Sequence, residues 1–257
     1  MEPYGIWISY WTIVRKELVR LFRIWSQTLL PPIITTGLYF LIFGEFIGSQ
    51  VAPIGGVSYM QFIVPGLVLM AAINSAFMNT AFSFYSAKFQ KTVEEVMVSP
   101  TPYLIVVLGH ITGGVLRALI TALLVTGLAL FFTSLSIHSL FVTVVFIFLT
   151  ALLFSLAGLV NGVFATSFDT VSIVPTFVLT PLTYLGGVFY SVSLLPPIWQ
   201  EVSHWNPIFY MVNGFRYGML GITDTPVALS FGILAGLCLL FIAINWYLFK
   251  SGRGLRT

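Results

Sequence analysis

Charged side chains are scarce in this chain. It has eleven Lys and Arg and eight Asp and Glu among 257 residues, or 7%. A water-soluble domain carries about 25% charged residues, so this composition excludes a globular protein that faces water on all sides. Cys238 is the single cysteine, which excludes a disulfide framework within the chain and leaves its redox compartment open. His110, His138 and His204 are scattered, with no cysteine or paired carboxylate near them, so no metal-ligand spacing is present. The phosphate-cradling pattern G-x-x-x-x-G-K-[ST] is missing, so the chain binds no nucleotide by that means. Ser203 and His204 adjoin each other, but neighbours on a helix point apart, which argues against a nucleophile and base. There is no internal repeat and no low-complexity tract.

What remains is apolar. Hydrophobic residues make up 58% of the chain and mean hydropathy is +1.00. A membrane-spanning helix needs about 20 mostly apolar residues. Six stretches qualify: 29–48, 59–84, 104–132, 140–165, 173–190 and 227–249. Loops rich in Lys and Arg stay on the cytoplasmic side. Arg15, Lys16, Arg20 and Arg23 precede the first stretch, Lys88 and Lys91 follow the second, and Lys250, Arg253 and Arg256 follow the sixth. Nine of the eleven basic residues thus share one side of a six-span layout, and both termini are expected in the cytoplasm. The net charge of +3 follows from this asymmetry and is matched by anionic lipid headgroups, with no nucleic-acid partner implied. The first apolar run begins only near Leu29 and no A-x-A site closes it, so it reads as a retained span and not a cleaved signal.

Three segments outside the spans carry pattern. Over 4–28, Trp7, Trp11, Val14, Leu18, Leu21 and Trp25 recur every three or four residues, with basic residues mostly opposite. That spacing predicts an amphipathic helix lying in the membrane interface, broken at Pro31 and Pro32. The loop 85–103 packs Lys88, Phe89, Gln90, Lys91, Glu94 and Glu95 ahead of Val96, Met97, Ser99 and Pro100, predicting a short amphipathic cytoplasmic helix. The segment 191–226 is too apolar for a plain loop, and Pro196, Pro197 and Pro207 divide it into two short runs. It predicts two short re-entrant or outer helices, with Trp199, Trp205, Asn206, Phe209 and Tyr210 at headgroup level. The expected fold is therefore an all-α membrane protein: one interfacial helix, six transmembrane helices, a short cytoplasmic helix and two outer helices.

Polar groups inside apolar spans are costly and mark candidate sites. Arg117 lies about 20 Å of helical rise into the third span and is expected to pair inside the bundle. Arg216 is expected to clamp the outer segment, through Glu201 or through open carbonyls. Glu45 sits near the outer end of the first span, where it reaches water. Met70, Asn74 and Met78 on span two, with Thr176, Thr180, Thr183 and Tyr184 on span five, either line a path or join two helices. Thr176, Thr180 and Tyr184 fall on one helical face, and Pro175 and Pro181 kink their span.

Four motifs in order resemble one family. Tyr59-Met60-Gln61-Phe62-Ile63-Val64-Pro65-Gly66 is similar to its Y-x-x-F-x-x-P-G start of the second span. Val93-Glu94-Glu95-Val96-Met97-Val98-Ser99-Pro100 resembles its cytoplasmic coupling segment. Gly186-Gly187-Val188-Phe189-Tyr190 with Leu195-Pro196-Pro197, and then Asn206-Pro207-Ile208-Phe209-Tyr210 through Arg216, resemble its outer segment. The family is the ABC-2 type of ABC transporter permease, and the likeness runs from the interfacial helix to the C-terminus. The resemblance implies a half-transporter of the bacterial inner membrane, working as two copies with two copies of a separate ATPase that binds ATP and Mg. It implies that residues from Lys88 to Pro100 contact that ATPase, with the interfacial helix beside it, and that spans two and five border an outward path for an amphipathic or lipid-linked substrate. A carrier driven by an ion gradient is the alternative, although spans two to six hold no Asp or Glu to bind a coupling ion. A membrane scaffold that moves nothing is the other.

Overall fold

The computed structural model describes residues 3–99 and 101–254. Pro100 and Arg256, both named above, lie outside the described residues, as does the side chain of Met97. Among the described residues the chain is helical throughout, with one isolated bridge between Ile54 and Val57 in place of any sheet.

Helix α1 covers Pro3–Arg23. The chain bends at Ile24 and again at Leu29 and continues as α2, Trp25–Gln50. Pro31 and Pro32 occupy the first turn after Leu29, where a missing N–H leaves no helical bond unmade, so they start a helix there. Helix α3, Tyr59–Phe89, opens with Ser58 and Gln61 each accepting a hydrogen bond from the other's backbone N–H. It ends at Lys91, whose φ of +60° turns the chain sharply into α4, Thr92–Val98. Helices α5, Tyr103–Ala129, and α6, Leu140–Phe164, follow. Helix α7 runs over 168–184 in three pieces: Phe168–Val174, a widened π turn at Pro175–Leu179, and Thr180–Tyr184. Two short helices, α8 (Pro197–His204) and α9 (Pro207–Leu220), precede α10, Val227–Ser251.

Five of these helices are long and apolar enough to cross a membrane: α2, α3, α5, α6 and α10. The fifth expected span, 173–190, is displaced. Its helix begins at Phe168 and stops at Tyr184, and 185–190 is a turn built on Gly187, whose φ is +72°. The two prolines account for the π turn. Neither Pro175 nor Pro181 donates a backbone bond, and the Thr180 N–H and hydroxyl both reach the Pro175 carbonyl instead.

Helix α3 is the centre of the bundle, with 83% of its most apolar stretch buried, against 17% for α2 and for α10. It can be central because its neighbours offer small residues. A Cβ on Gly158 of α6 would lie 2.4 Å from the Phe77 carbonyl oxygen, and one on Gly162 would lie 2.8 Å from that of Ala81. Small residues four apart let two backbones touch, which is how helices associate where lipid removes the hydrophobic drive.

Candidate transport groove and coupling face

On the otherwise buried α3 one stripe stays accessible: Met70, Asn74, Met78, Phe82 and Ser86, spaced four apart. Helices α2 and α7 flank it. At the lower end Phe168, which opens α7, stacks on Phe82 at 6.5 Å and meets Tyr85 edge-on at 4.9 Å. At the upper end the Tyr59 hydroxyl donates to the Phe189 carbonyl at 3.0 Å. Helix α7 therefore follows α3 along its length. On α7, Thr176, Thr180 and Tyr184 are exposed on one face, whereas Thr183 is turned inward and donates to the Leu179 carbonyl at 2.6 Å. Of the four polar residues expected on this helix, Thr183 is therefore held by its own backbone.

The top of the groove is closed by aromatic rings. The Tyr39 and Tyr184 hydroxyls bond at 2.9 Å, joining α2 to α7. The Phe189 ring sits 4.9 Å from Phe43, 5.6 Å from Tyr39 and 5.7 Å from Tyr184. Contacts of this geometry are worth about 0.5–1.5 kcal/mol each beyond area burial. Phe189 stood in the sequence only as one member of the outer-segment motif, and Tyr39 gave no signal, because an aromatic residue in an apolar span is unremarkable in one dimension.

The outer segment holds this closure in place. The end of α7 and the turn after it leave carbonyls without helical partners, and three side chains supply them. Asn206 donates to the Leu182 carbonyl at 2.6 Å, Ser203 to that of Leu185 at 3.3 Å, and Arg216 to that of Gly187 at 2.6 Å. Pro207 opens α9, and Asn206 caps it by accepting from the Ile208 N–H. Arg216 is 1% exposed and its guanidinium stacks over the Phe62 ring at 4.0 Å. It therefore clamps through an open carbonyl, while Glu201 lies exposed on α8. Phe209 is buried, Tyr210 is half-buried, and Trp199 and Trp205 are exposed. Replacing Arg216 with Met keeps bulk but strands the Gly187 carbonyl, a cost of about 1–3 kcal/mol. The expected outcome is a lower melting temperature and ion leak through reconstituted vesicles. A variant as tight and as stable as the parent would show that Arg216 does not secure the closure.

Beside the lower half of the stripe a buried polar junction ties α1 to the bundle. Gly109 and Gly113 on α5 admit Ile13 and Glu17 of α1 to contact distances that a Cβ would not allow. Glu17, 2% exposed, accepts from the Ser83 hydroxyl on α3 and from Arg20 at 2.7 Å. Arg20 also donates to the Asn79 side-chain oxygen at 2.9 Å, and Arg117 donates to the same oxygen at 3.3 Å and to the Thr28 carbonyl at 3.1 Å. Arg117 thus joins the middle of α5 to α3 and to the stretch of chain just after α1. Glu17 was not singled out from sequence, since an acid three residues from an arginine on a basic helix reads as a solvated pair. Trp7, Trp11 and Trp25 of the same region remain exposed.

At the lower end, Lys88 is buried and bonds the Val163 and Ala165 carbonyls at 2.9 and 3.4 Å, capping α6. Phe89, Gln90, Lys91, Glu94 and Glu95 are exposed, Val96 and Ser99 are half-buried, and Val93 anchors α4 to the core. Val93 and Val96 of α4 therefore face inward, while both carboxylates and Val98 face out. Glu45, near the top of α2, is exposed.

A bundle of long apolar helices around a half-open stripe, with a short charged helix at one end and two proline-started helices at the other, defines a membrane permease. Residues 8–220 match the ABC-2 type transporter family, and the chain belongs to it. It is 54% identical over 251 residues, 98% of each chain, to the inner membrane transport permease YadH of Escherichia coli strain K12. It is equally similar to the protein of that name from Shigella flexneri. It is also 27% identical over 246 residues, 94% of this chain and 90% of the other, to nodulation protein J of Rhizobium leguminosarum bv. trifolii.

Proposed function

We propose that this chain is the permease subunit of an ABC exporter in the bacterial inner membrane. Two copies form the transmembrane path, two copies of a separate ATPase bind ATP and Mg below them, and an amphipathic or lipid-linked substrate moves outward. The observation that carries this reading is the accessible stripe that includes Met70, Asn74 and Met78, on a helix whose middle is otherwise buried. A lone chain has no reason to leave polar Asn74 facing lipid, whereas a second copy facing it would enclose a path. Helix α7 is the sixth crossing in this reading. Its 17 residues rise about 25 Å, short for a span of about 30 Å, and the turn through Tyr190 completes it. The peripheral placement of α2 and α10 leaves both free to meet a partner copy or lipid. Both termini then lie in the cytoplasm with α4. The closure at Phe189, braced by α8 and α9, blocks the path when no substrate passes. Binding of ATP favours one packing of the two copies and hydrolysis favours another.

The exposed Glu94 and Glu95, together with Phe89, Gln90 and Lys91, form the ATPase docking surface in this reading. Co-purification of the complex from its own membrane is the direct test. With Glu94 and Glu95 both changed to Lys, ATPase association should fall at least tenfold, or hydrolysis should continue without transport. A complex that assembles and transports unchanged would remove α4 from the docking surface.

A further inference from the structure

Between α2 and α3, beside the stripe, lies a cavity of about 320 Å³, within the range of about 300–1,000 Å³ typical of small-molecule sites. Its polar lining includes Gln27, Thr35, Asn74, Ser75 and Arg117, and much of the rest is apolar, with Met70, Met78 and Pro31 among the walls. The charge in and next to this cavity does not balance. Two guanidinium groups, Arg20 and Arg117, converge on one amide oxygen of Asn79, and the one carboxylate at the junction, Glu17, is engaged by Arg20 and Ser83. Arg117 meets no carboxylate among the described residues, and its Nε is buried without a hydrogen-bond partner.

A guanidinium away from water needs an opposite charge, and its planar fork matches the oxygens of a phosphate or carboxylate. We infer that this cavity takes the anionic headgroup of an amphiphile, with Arg117 as the counter-ion and the apolar wall toward Met70 receiving the first carbons of its chain. Arg117 is joined to the Thr28 carbonyl, close to the end of α1, so the guanidinium stands where the basic helix meets the first span. The Thr35 hydroxyl and the Gln27 amide line the same cavity and add donors suited to an anion of several oxygens. This deepens the proposed function and rests on it in one respect only, that the occupant is cargo; the binding chemistry itself needs no ATPase.

The test uses the full chain in detergent and native mass spectrometry with two lipids of equal chain length, a short-chain phosphatidic acid and the matching diacylglycerol. Phosphatidic acid should bind at least tenfold more tightly. Arg117→Leu should erase that preference, and Arg117→Lys should keep part of it. Should Arg117→Leu fail to fold, Thr35→Glu places a negative charge on the exposed rim without touching the junction, and it should weaken phosphatidic acid at least tenfold while sparing diacylglycerol. Equal binding of the two lipids, or an unchanged preference in Arg117→Leu or Thr35→Glu, would overturn the inference. A second arm separates the two sources of such a headgroup. An endogenous anionic amphiphile released when the complex with its ATPase turns over ATP is cargo. One that stays bound through turnover is a resident membrane lipid, which keeps the anion site and removes the cargo assignment.

Discussion

Gly158→Leu should give no folded protein, and Gly158→Ala should melt well below the parent. The Cβ of alanine would stand 2.4 Å from the Phe77 carbonyl oxygen, and that oxygen belongs to the backbone of the central helix and cannot rotate away. Relief requires α6 to move off α3 over the whole contact, and overpacking of this kind costs about 1–3 kcal/mol for a single methyl and more for a larger side chain. Gly127 and Gly236 supply the control, since a Cβ at either meets nothing within 4 Å. Alanine there should be neutral or stabilise by about 0.5–1 kcal/mol through the entropy glycine loses in a helix. Thermal melts in detergent, monitored by elution as a single species, decide the matter. Equal losses at positions 127 and 158 would mean that close backbone approach is not what glycine provides at 158.

Glu17→Ala should be nearly as damaging. It removes the carboxylate that two elements use, leaving Ser83 without its acceptor and Arg20 and Arg117 with only neutral oxygens, those of Asn79 and the Thr28 carbonyl. Breaking a fully buried pair by deleting one partner costs about 3–5 kcal/mol, and the loss here is smaller because the surviving Arg20 is partly exposed to solvent. Helix α1 should then detach, and protease should cut near Arg15 or Lys16 at concentrations that spare the parent. The double variant Glu17→Ala with Arg20→Ala should recover part of the loss, since the stranded cation is gone. If the double variant is worse than either single one by their full sum, the two residues do not act as a pair.

Much of this was legible in one dimension. The long apolar runs, the charge asymmetry and the prolines located the helices because each reports a local requirement of backbone or bilayer. The stripe Met70, Asn74 and Met78 could be read because a four-residue period projects directly onto a helix face. What failed to project were contacts decided by which faces of distant helices meet. Arg216 and Glu201 are close in sequence and opposite in charge, yet the fold turns the arginine inward to a carbonyl at Gly187. Thr183 has the same side chain as Thr180, but only three-dimensional packing decides which of them faces inward. Lys88 looked like part of a charged cytoplasmic surface, whereas its long stem lets the ammonium cap α6. Glu17 was hidden by its basic neighbours, and Tyr39 pairs with a residue 145 positions away.

Helices α3 and α7 are joined at both ends. Tyr85 donates to the Thr166 carbonyl at 3.0 Å beneath the groove, and Tyr59 donates to the Phe189 carbonyl above it. Two rods pinned at top and bottom form a four-bar linkage, in which neither can swing without carrying the other. Helix α3 is about 46 Å long, so a tilt of one degree at its base displaces its upper end by about 0.8 Å. That displacement is delivered to the Phe189 turn and not absorbed between the pinned pair. Helix α2 has no such double attachment to α7: the one hydrogen bond between their side chains among the described residues is that between Tyr39 and Tyr184, worth about 0.5–1.5 kcal/mol. The seam between α2 and α7 therefore rests on the Tyr39–Tyr184 bond and on the rings packed around Phe189, and it carries less than the doubly tied seam beside it.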